Sequence, residues 1–363
     1  MICNITAKYT TLQMEKKRLC YISRNYYNLT GAGNKAKTDN EDTLRDMGAA
    51  NLGLPRTVVD SKVVAFFLDL AGIVSACVRL SKGDVLFLQY PVKKYFAFLC
   101  RVARMKGACT VALIHDLGSF RRKKLTVEKE IARLSCSDYI IASNHNMRTW
   151  LMAHGLQKPV GALGLFDYRS PLFHQAPAAE TAARKAPHVV YAGALSMRKN
   201  AFLVELTRRL SGWHLTIAGN KEGLHGLQPN PCVDYRGFIP SDEFISTIDA
   251  DFGLVWDGDS LDTCSGEYGQ YLKLNSPHKV SFNLRAGLPI IVWKEAAVAP
   301  IVEKEGCGIC IASLHELDEI LRTIKPEDVA RMKKNAQSVA QKLNDGYFLK
   351  EALRAAESEG CEK

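Results

Sequence analysis

The sequence predicts an α/β fold of two doubly wound parallel-sheet domains, and three observations carry that prediction. Short apolar, β-branched runs alternate with amphipathic stretches along the chain; the strand candidates are apolar throughout; and the rhythm stops once, near residue 175, then restarts. Strand–helix alternation implies parallel strands joined by helical crossovers. Strands that are apolar on both faces belong to a sheet covered on both sides.

In the first half the expected strands are Arg18–Ser23, Asp84–Tyr90, Cys109–His115 and Asp138–Ser143. Helices are expected over Val63–Leu80, Tyr95–Met105, Thr126–Ser135 and Asn146–His154. The Val63–Leu80 run is interrupted by Asp69 and ends at Arg79, so it reads as a core-facing helix, not a bilayer span. An Ala- and Pro-rich segment marks a linker at residues 171–187. Strands follow at His188–Gly193, His214–Gly219, Asp251–Trp256 and Leu288–Trp293. The expected organisation is an N-terminal domain at 1–170, the linker, a C-terminal domain at 188–345, and a last helix at 346–363 packing back on the first domain.

The 363 residues suffice for two cores, and 47% apolar with 24% charged residues is a globular composition. The first residues lack the apolar stretch of a signal peptide. Eleven cysteines, odd in number and scattered, match a reducing cytoplasm. Cys307 and Cys310 form a lone CxxC, which reads as two buried thiols on a strand. The net charge of +10 is uneven: residues 1–175 carry 26 Lys and Arg against 13 Asp and Glu, net +13, and the remainder is net −3. No basic run is interleaved with aromatics and no zinc-finger spacing occurs, which argues against nucleic acid. An anionic membrane surface or a phosphorylated ligand remains as the reader of this charge.

In doubly wound domains ligands bind beyond the carboxyl ends of the strands, so the residues there are the candidates. After the first strand, Gly31 and Gly33 allow a tight turn, with Asn34 and Lys35 within reach of an anion; the loop is either a structural turn or a ligand loop. It is not a dinucleotide fingerprint, because GxGxxG is incomplete. His115 and Asp116 end the third strand, and Asp116 is either a general base facing a cleft or a turn residue paired with Arg121 or Arg122. In the second domain Arg198 stands at a strand-to-helix turn suited to phosphate, and Tyr235 on a later turn could stack on a base. The stretch "YLKLNSPHKVSFNLRAG" reads as a Ser276 cap, Pro277 at the first helical position and an amphipathic helix to Arg285. That reading leaves Lys279 unexplained, since a cation in a first turn opposes the helix dipole, and Lys273 aggravates it. A bound diphosphate would reverse the sign, so the segment is read as an anion site.

Together "GEYGQYLKLNSPHKVSFNLRAGLPIIVW", "YAGALS", "IHDLGSFR" and the Gly-Asn-Lys loop resemble, in order and spacing, a bacterial GT-B glycosyltransferase group. It contains β-1,6-galactofuranosyltransferases of O-antigen synthesis and the third glucosyltransferase of serine-rich adhesin glycosylation. The resemblance implies two Rossmann-like domains facing across a cleft and a UDP-sugar donor held chiefly by the second. It places donor contacts on Thr30, Gly31, Arg198, Tyr235, Tyr271, Leu272, Lys273, Leu274, Asn275 and Ser276, with Lys279 beside them. Two departures stand out: Ser276 replaces the family's usual Asn before Pro277, and Gly193-Ala194-Leu195 replaces Gly-Asn-Leu. The segment before Arg18 exceeds the family's start and reads as a dispensable leader or a misplaced start codon.

The resulting expectation is a cytoplasmic hexosyltransferase, peripheral at the inner face of the plasma membrane. It would move a galactofuranosyl or glucosyl unit from a UDP-sugar to a saccharide, glycan-lipid or glycoprotein acceptor, without a cofactor. Metal independence is expected because Arg198, Lys273, Lys279 and helix dipoles can stabilise the departing diphosphate and no DxD-like pair sits at a likely strand end, Asp257 and Asp259 being the nearest candidate. A homo-oligomer is compatible. The competing readings are a catalytically silent UDP-sugar-binding partner subunit and a nucleotide-sugar epimerase of similar shape.

Overall fold

The computed structural model describes residues 17–27, 32–91, 95–121, 125–174, 186–220 and 222–361. Thr30 and Gly31 lie outside this set, as do the Arg121 side chain and Arg122. The first domain runs β1 (Leu19–Tyr21), α1 (Ala32–Asp46), β2 (Ala50–Asn51), α2 (Lys62–Arg79), β3 (Val85–Tyr90), α3 (Phe96–Met105) and β4 (Cys109–Ile114). It continues with α4 (Gly118–Arg121), α5 (Val127–Leu134), β5 (Tyr139–Ala142), α6 (His145–Ala153) and β6 (Val160–Ala162). The second domain has β7 (His188–Ala192), α7 (Met197–Asn200), α8 (Phe202–Arg209), β8 (His214–Ala218), β9 (Val233–Gly237), α9 (Ser241–Thr247) and β10 (Phe252–Val255). Then come α10 (Gly266–Tyr271), α11 (His278–Arg285), β11 (Ile290–Trp293), α12 (Ala299–Glu305), β12 (Gly308–Ile311), α13 (Leu317–Thr323), α14 (Pro326–Asn344) and α15 (Tyr347–Gly360).

Each domain holds a six-stranded sheet, in the orders β2-β1-β3-β4-β5-β6 and β12-β11-β10-β7-β8-β9, with every pairing parallel. Strand order reverses between β1 and β3 in the first sheet and between β7 and β10 in the second. These two switch points are where doubly wound sheets open a crevice. The central strands are buried on both faces, while the edge strands β2, β6 and β9 are partly exposed. In β3, Leu86, Leu88 and Tyr90 pack under α2, α3, α5 and α6, while Val85 and Phe87 pack under α1 and α15. The second core closes around Trp213, Trp256 and Trp293.

Three local readings need correction. The Gly-Asn-Lys stretch is not a loop: α1 starts at Ala32, so Gly33, Asn34 and Lys35 occupy its first turn. Helix α11 starts at His278, with Pro277 at the cap position and no side-chain cap, because Ser276 is engaged across the domain boundary. Tyr235 sits on a strand, β9, not on a turn. Helix α2 faces the core with one side only; Ala65, Gly72, Ile73 and Ala76 are buried, and the opposite side is exposed. Cys310 lies on β12, with Cys307 buried just before it, and burial pushes the Cys307 thiol to about 11 and the Cys310 thiol to about 12. The cysteine scatter gave no sign of the disulfide that joins Cys109 to Cys361 among the described residues.

The domains are connected at both ends of the second one. After α14, α15 crosses back and packs Leu349, Leu353 and Ala356 against Tyr21, Phe87, Tyr139 and Ile141. Asp167 caps this crossing: its carboxylate accepts from Phe348 N at 3.1 Å and Leu349 N at 2.8 Å. Burial raises the Asp167 pKa to about 7, with those two amides opposing.

Candidate active site

At the second switch point, β7 and β10 end side by side. Lys279, in the first turn of α11, donates to Asp257 Oδ1 at 2.7 Å and to the Tyr191 hydroxyl at 2.7 Å, with its ammonium 4.6 Å from the Tyr191 ring centre. Lys199 Nζ stands 3.9 Å from the other Asp257 oxygen. Burial, then the Asp257 carboxylate, push the Tyr191 phenol well up, so it stays protonated. Two ammonium groups thus share one buried carboxylate. Asp257 answers the dipole conflict at Lys279 from below, a role the sequence reading did not give it. Arg198 is exposed beside them, its guanidinium 4.9 Å from the Tyr268 ring centre and bonded to the Tyr268 hydroxyl.

Two glycines let the ends of β7 and β8 approach. Gly193 and Gly219 have φ of 150° and 154°, and a Cβ on Gly219 would stand 2.0 Å from the Gly193 carbonyl oxygen. Tyr235 donates to the Gly219 carbonyl at 2.7 Å, so its ring borders the same strand end.

Across the cleft, His115 closes β4. Its Nε2 lies 2.9 Å from Gln89 Oε1, and its ring stacks on Phe166 at 5.1 Å. Burial, then Lys37 and His278, hold His115 well below the ordinary imidazole range. His278 has both ring nitrogens shut off from solvent, and burial and Lys35 lower it to about 3. Both imidazoles are therefore neutral at pH 7. Asp116, the next residue, is half-buried where the chain leaves the sheet. The backbone after it is clamped from both domains. Leu117 N donates to the Tyr271 hydroxyl at 2.9 Å, and Gly118 N and Ser119 N donate to the fully buried Glu130 at 2.7 and 2.8 Å.

The segment before α11 joins the domains. Tyr271 stacks on Phe120 at 5.5 Å, and Leu272 is in the core. Asn144 Nδ2 donates to the Leu274 carbonyl at 2.9 Å and to Ser276 Oγ at 3.1 Å, and Ser276 Oγ lies 2.7 Å from the Gly164 carbonyl. The amides of Leu272, Lys273, Leu274 and Asn275 close turns onto residues 269–271. So the side chains of Tyr271 and Ser276, expected at the donor, hold the domains together here, and that of Leu272 packs in the second domain's core. Lys273 reaches the cleft edge, 2.8 Å from Glu295 and 5.1 Å from the Trp293 ring centre. Of the expected donor residues, Arg198 and Lys279 gather at the switch point. Tyr191, Lys199, Asp257 and Tyr268 join them; a tyrosine two residues before a strand-end glycine and the WDGD turn were the available signals.

A cavity of about 240 Å³ opens at the first switch point, lined by Tyr21, Arg24, Asn25, Tyr26, Lys37 and Gln89 among others. A larger one of about 410 Å³, lined by His188, His214 and Arg236, lies at the amino ends of β7–β9, away from the crevice. Among the described residues no group of three or more His, Cys, Asp or Glu side chains could hold a metal ion.

The glucosyltransferase 3-like N-terminal domain matches residues 19–165, and the glucosyltransferase 3-like C-terminal domain matches residues 189–356. The chain belongs to the glucosyltransferase 3-like family. It is a glycosyltransferase, as the resemblance read from "GEYGQYLKLNSPHK" implied. The beta-1,6-galactofuranosyltransferase WbbI of Escherichia coli (strain K12) is 30% identical over 331 residues, 89% of this chain and 93% of that protein. Glucosyltransferase 3 of Streptococcus gordonii is 25% identical over 75% of this chain and 78% of its own length. Among solved structures, Anabaena Alr3699/HepE in complex with UDP and glucose aligns with a TM-score of 0.60 over 94% of this chain and all of that one, at 12% identity, a likeness of GT-B fold.

Proposed function

We propose that this glucosyltransferase 3-like enzyme moves a galactofuranosyl or glucosyl unit from a UDP-sugar to a hydroxyl of a saccharide or glycan-lipid acceptor. It works in the cytoplasm, peripherally attached to the inner face of the plasma membrane. The observation that carries the donor assignment is the gathering of Lys279, Lys199 and Arg198 at the switch point, with Asp257 between the two lysines. A diphosphate there meets three cations and the α11 N-terminus, which stabilise the charge that grows as the sugar–phosphate bond breaks. Tyr235 borders the same strand end and takes the base.

In the transfer the acceptor oxygen bonds to the anomeric carbon, the bond from that carbon to the β-phosphate oxygen breaks, and UDP leaves with its electron pair. Asp116 takes the acceptor proton. Glu130 and Tyr271 fix the backbone that carries Asp116. Cations of the chain do the work that a metal would otherwise do, so added chelator leaves turnover unchanged.

A thermal-shift panel of nucleotides and nucleotide sugars tests the donor class. UDP and a UDP-hexose at 100-fold their dissociation constants should each stabilise by about 2.7 kcal/mol. Stabilisation by a purine or thymidine nucleotide, with none by UDP, would rule the donor assignment out.

A further inference from the structure

We infer that the outer surface of α2 and α3 is a docking face for an anionic lipid bilayer. The inference rests on the proposed glycan-lipid acceptor for its biological sense, but its evidence is separate. Val63, Phe67, Val74 and Val78 recur at spacings of four, seven and four, which keeps them within one narrow stripe about 22 Å long on this helix. They are 66%, 61%, 55% and 74% exposed. On neighbouring α3, Phe98 and Met105 are also exposed, the latter by 78%. The two helices are tied by Lys106, whose ammonium donates to the Val78 and Leu80 carbonyls at 3.1 and 2.7 Å. Exposed apolar surface of this extent on a folded chain marks an interaction site.

Charge selects the occupant. The exposed ends and flanks carry five cations, Lys62, Arg79, Lys82, Arg101 and Arg104, against one carboxylate, Asp60, beside Lys62. Helix α3 contains no acidic residue, and the only one in α2, Asp69, is turned to Arg24 at 3.1 Å and Asn25 N at 3.1 Å. An apolar stripe framed by cations matches acyl chains beneath anionic headgroups. A second copy of the chain would bring the same cations against each other. Among the described residues no helix is long and apolar enough to cross a membrane, so the contact is interfacial. The inner side of α2 places Ile73 on the 240 Å³ cavity at the first switch point, so the docking face and the N-terminal half of the cleft share one helix.

Co-sedimentation of the full chain tests this, using vesicles of phosphatidylcholine with phosphatidylglycerol and of phosphatidylcholine alone. The expected result is binding to the mixed vesicles only. Arg79→Gln with Arg101→Gln should weaken it on the order of thirtyfold, two charges at about fivefold each. Phe67→Ser with Val78→Ser should weaken it at least as much, with UDP affinity and transfer to a water-soluble acceptor unchanged in both double variants. Salt of about 1 M shortens screening to about 3 Å and should remove the selectivity for anionic lipid. Sedimentation velocity on the same proteins covers the other occupant. No binding to mixed vesicles, or binding that neither double variant weakens, would overturn the inference. So would a dimer that Phe67→Ser with Val78→Ser dissociates. Each of these outcomes leaves the UDP-binding test to judge the transferase reading by itself.

Discussion

Lys279 and Asp116 face each other across the cleft with opposite assignments, and their variants should separate. In the proposed reaction Lys279 contacts the diphosphate before and during bond cleavage. Lys279→Met should therefore weaken UDP binding by tenfold or more, since a charge-assisted hydrogen bond contributes roughly 1.5 to 3 kcal/mol. In the same proposal Asp116 takes the acceptor proton and contacts no part of UDP. Asp116→Asn should leave UDP affinity within about twofold and lower turnover by on the order of 10² or more. Calorimetric UDP titration beside initial rates reads both. A lowered melting temperature with normal turnover for Asp116→Asn would mean a turn residue and would move the search for a base to Glu267. At this scale the sequence showed the cations but not their counter-charge. Lys279 could be flagged because it opposes a helix dipole in its own element. Asp257 lies in the turn after β10, 22 residues earlier, and only the fold brings its carboxylate to 2.7 Å.

The segment from Tyr271 to Pro277 shows how an element's role escapes local pattern. Serine before proline ahead of an amphipathic run has the composition of a capped helix start. Here the Ser276 hydroxyl is 2.7 Å from the Gly164 carbonyl and bonded by Asn144, partners more than 100 residues away that no local rule supplies. Asn144 itself does two jobs: it caps α6 by accepting from Met147 N at 2.9 Å, and it donates to Leu274 and Ser276. Asn144→Ala removes both, and should cost roughly 2 to 4 kcal/mol from the lost cap and the unsatisfied buried carbonyl. Asn144→Asp keeps the cap but cannot donate, so it should recover about 1 kcal/mol of that. Chemical denaturation of the two variants checks the order; equal losses would show that the cap contributes nothing, and an Asn144→Asp variant as stable as the unaltered chain would show that the interdomain bonds contribute nothing. The long strands and amphipathic helices were legible because each repeats its period over several residues. Strands β2 and β6, two and three residues long, give no period to read.

Over the whole molecule, the doubly wound plan, the two sheets and the crevice at the strand ends were legible, since strand–helix alternation and one break near residue 175 constrain topology strongly. What composition could not show is how the halves are bound together. The last helix was expected to pack back on the first domain, and the apolar side of α15 completes that core at Tyr21, Phe87 and Tyr139; the bonds of Asn144 and Ser276 across the domain boundary had no such signal. The net +13 of the first half was legible as a number, but the framing of an apolar stripe by those cations required the fold. The central claim is that the donor diphosphate sits at the second domain's switch point. A crystal structure of the full chain with UDP tests it most directly. The account predicts the diphosphate within hydrogen-bond distance of Lys279 Nζ or the Arg198 guanidinium, with the uracil beside Tyr235; a UDP seated instead in the cavity between β1 and β3 of the first domain would contradict it.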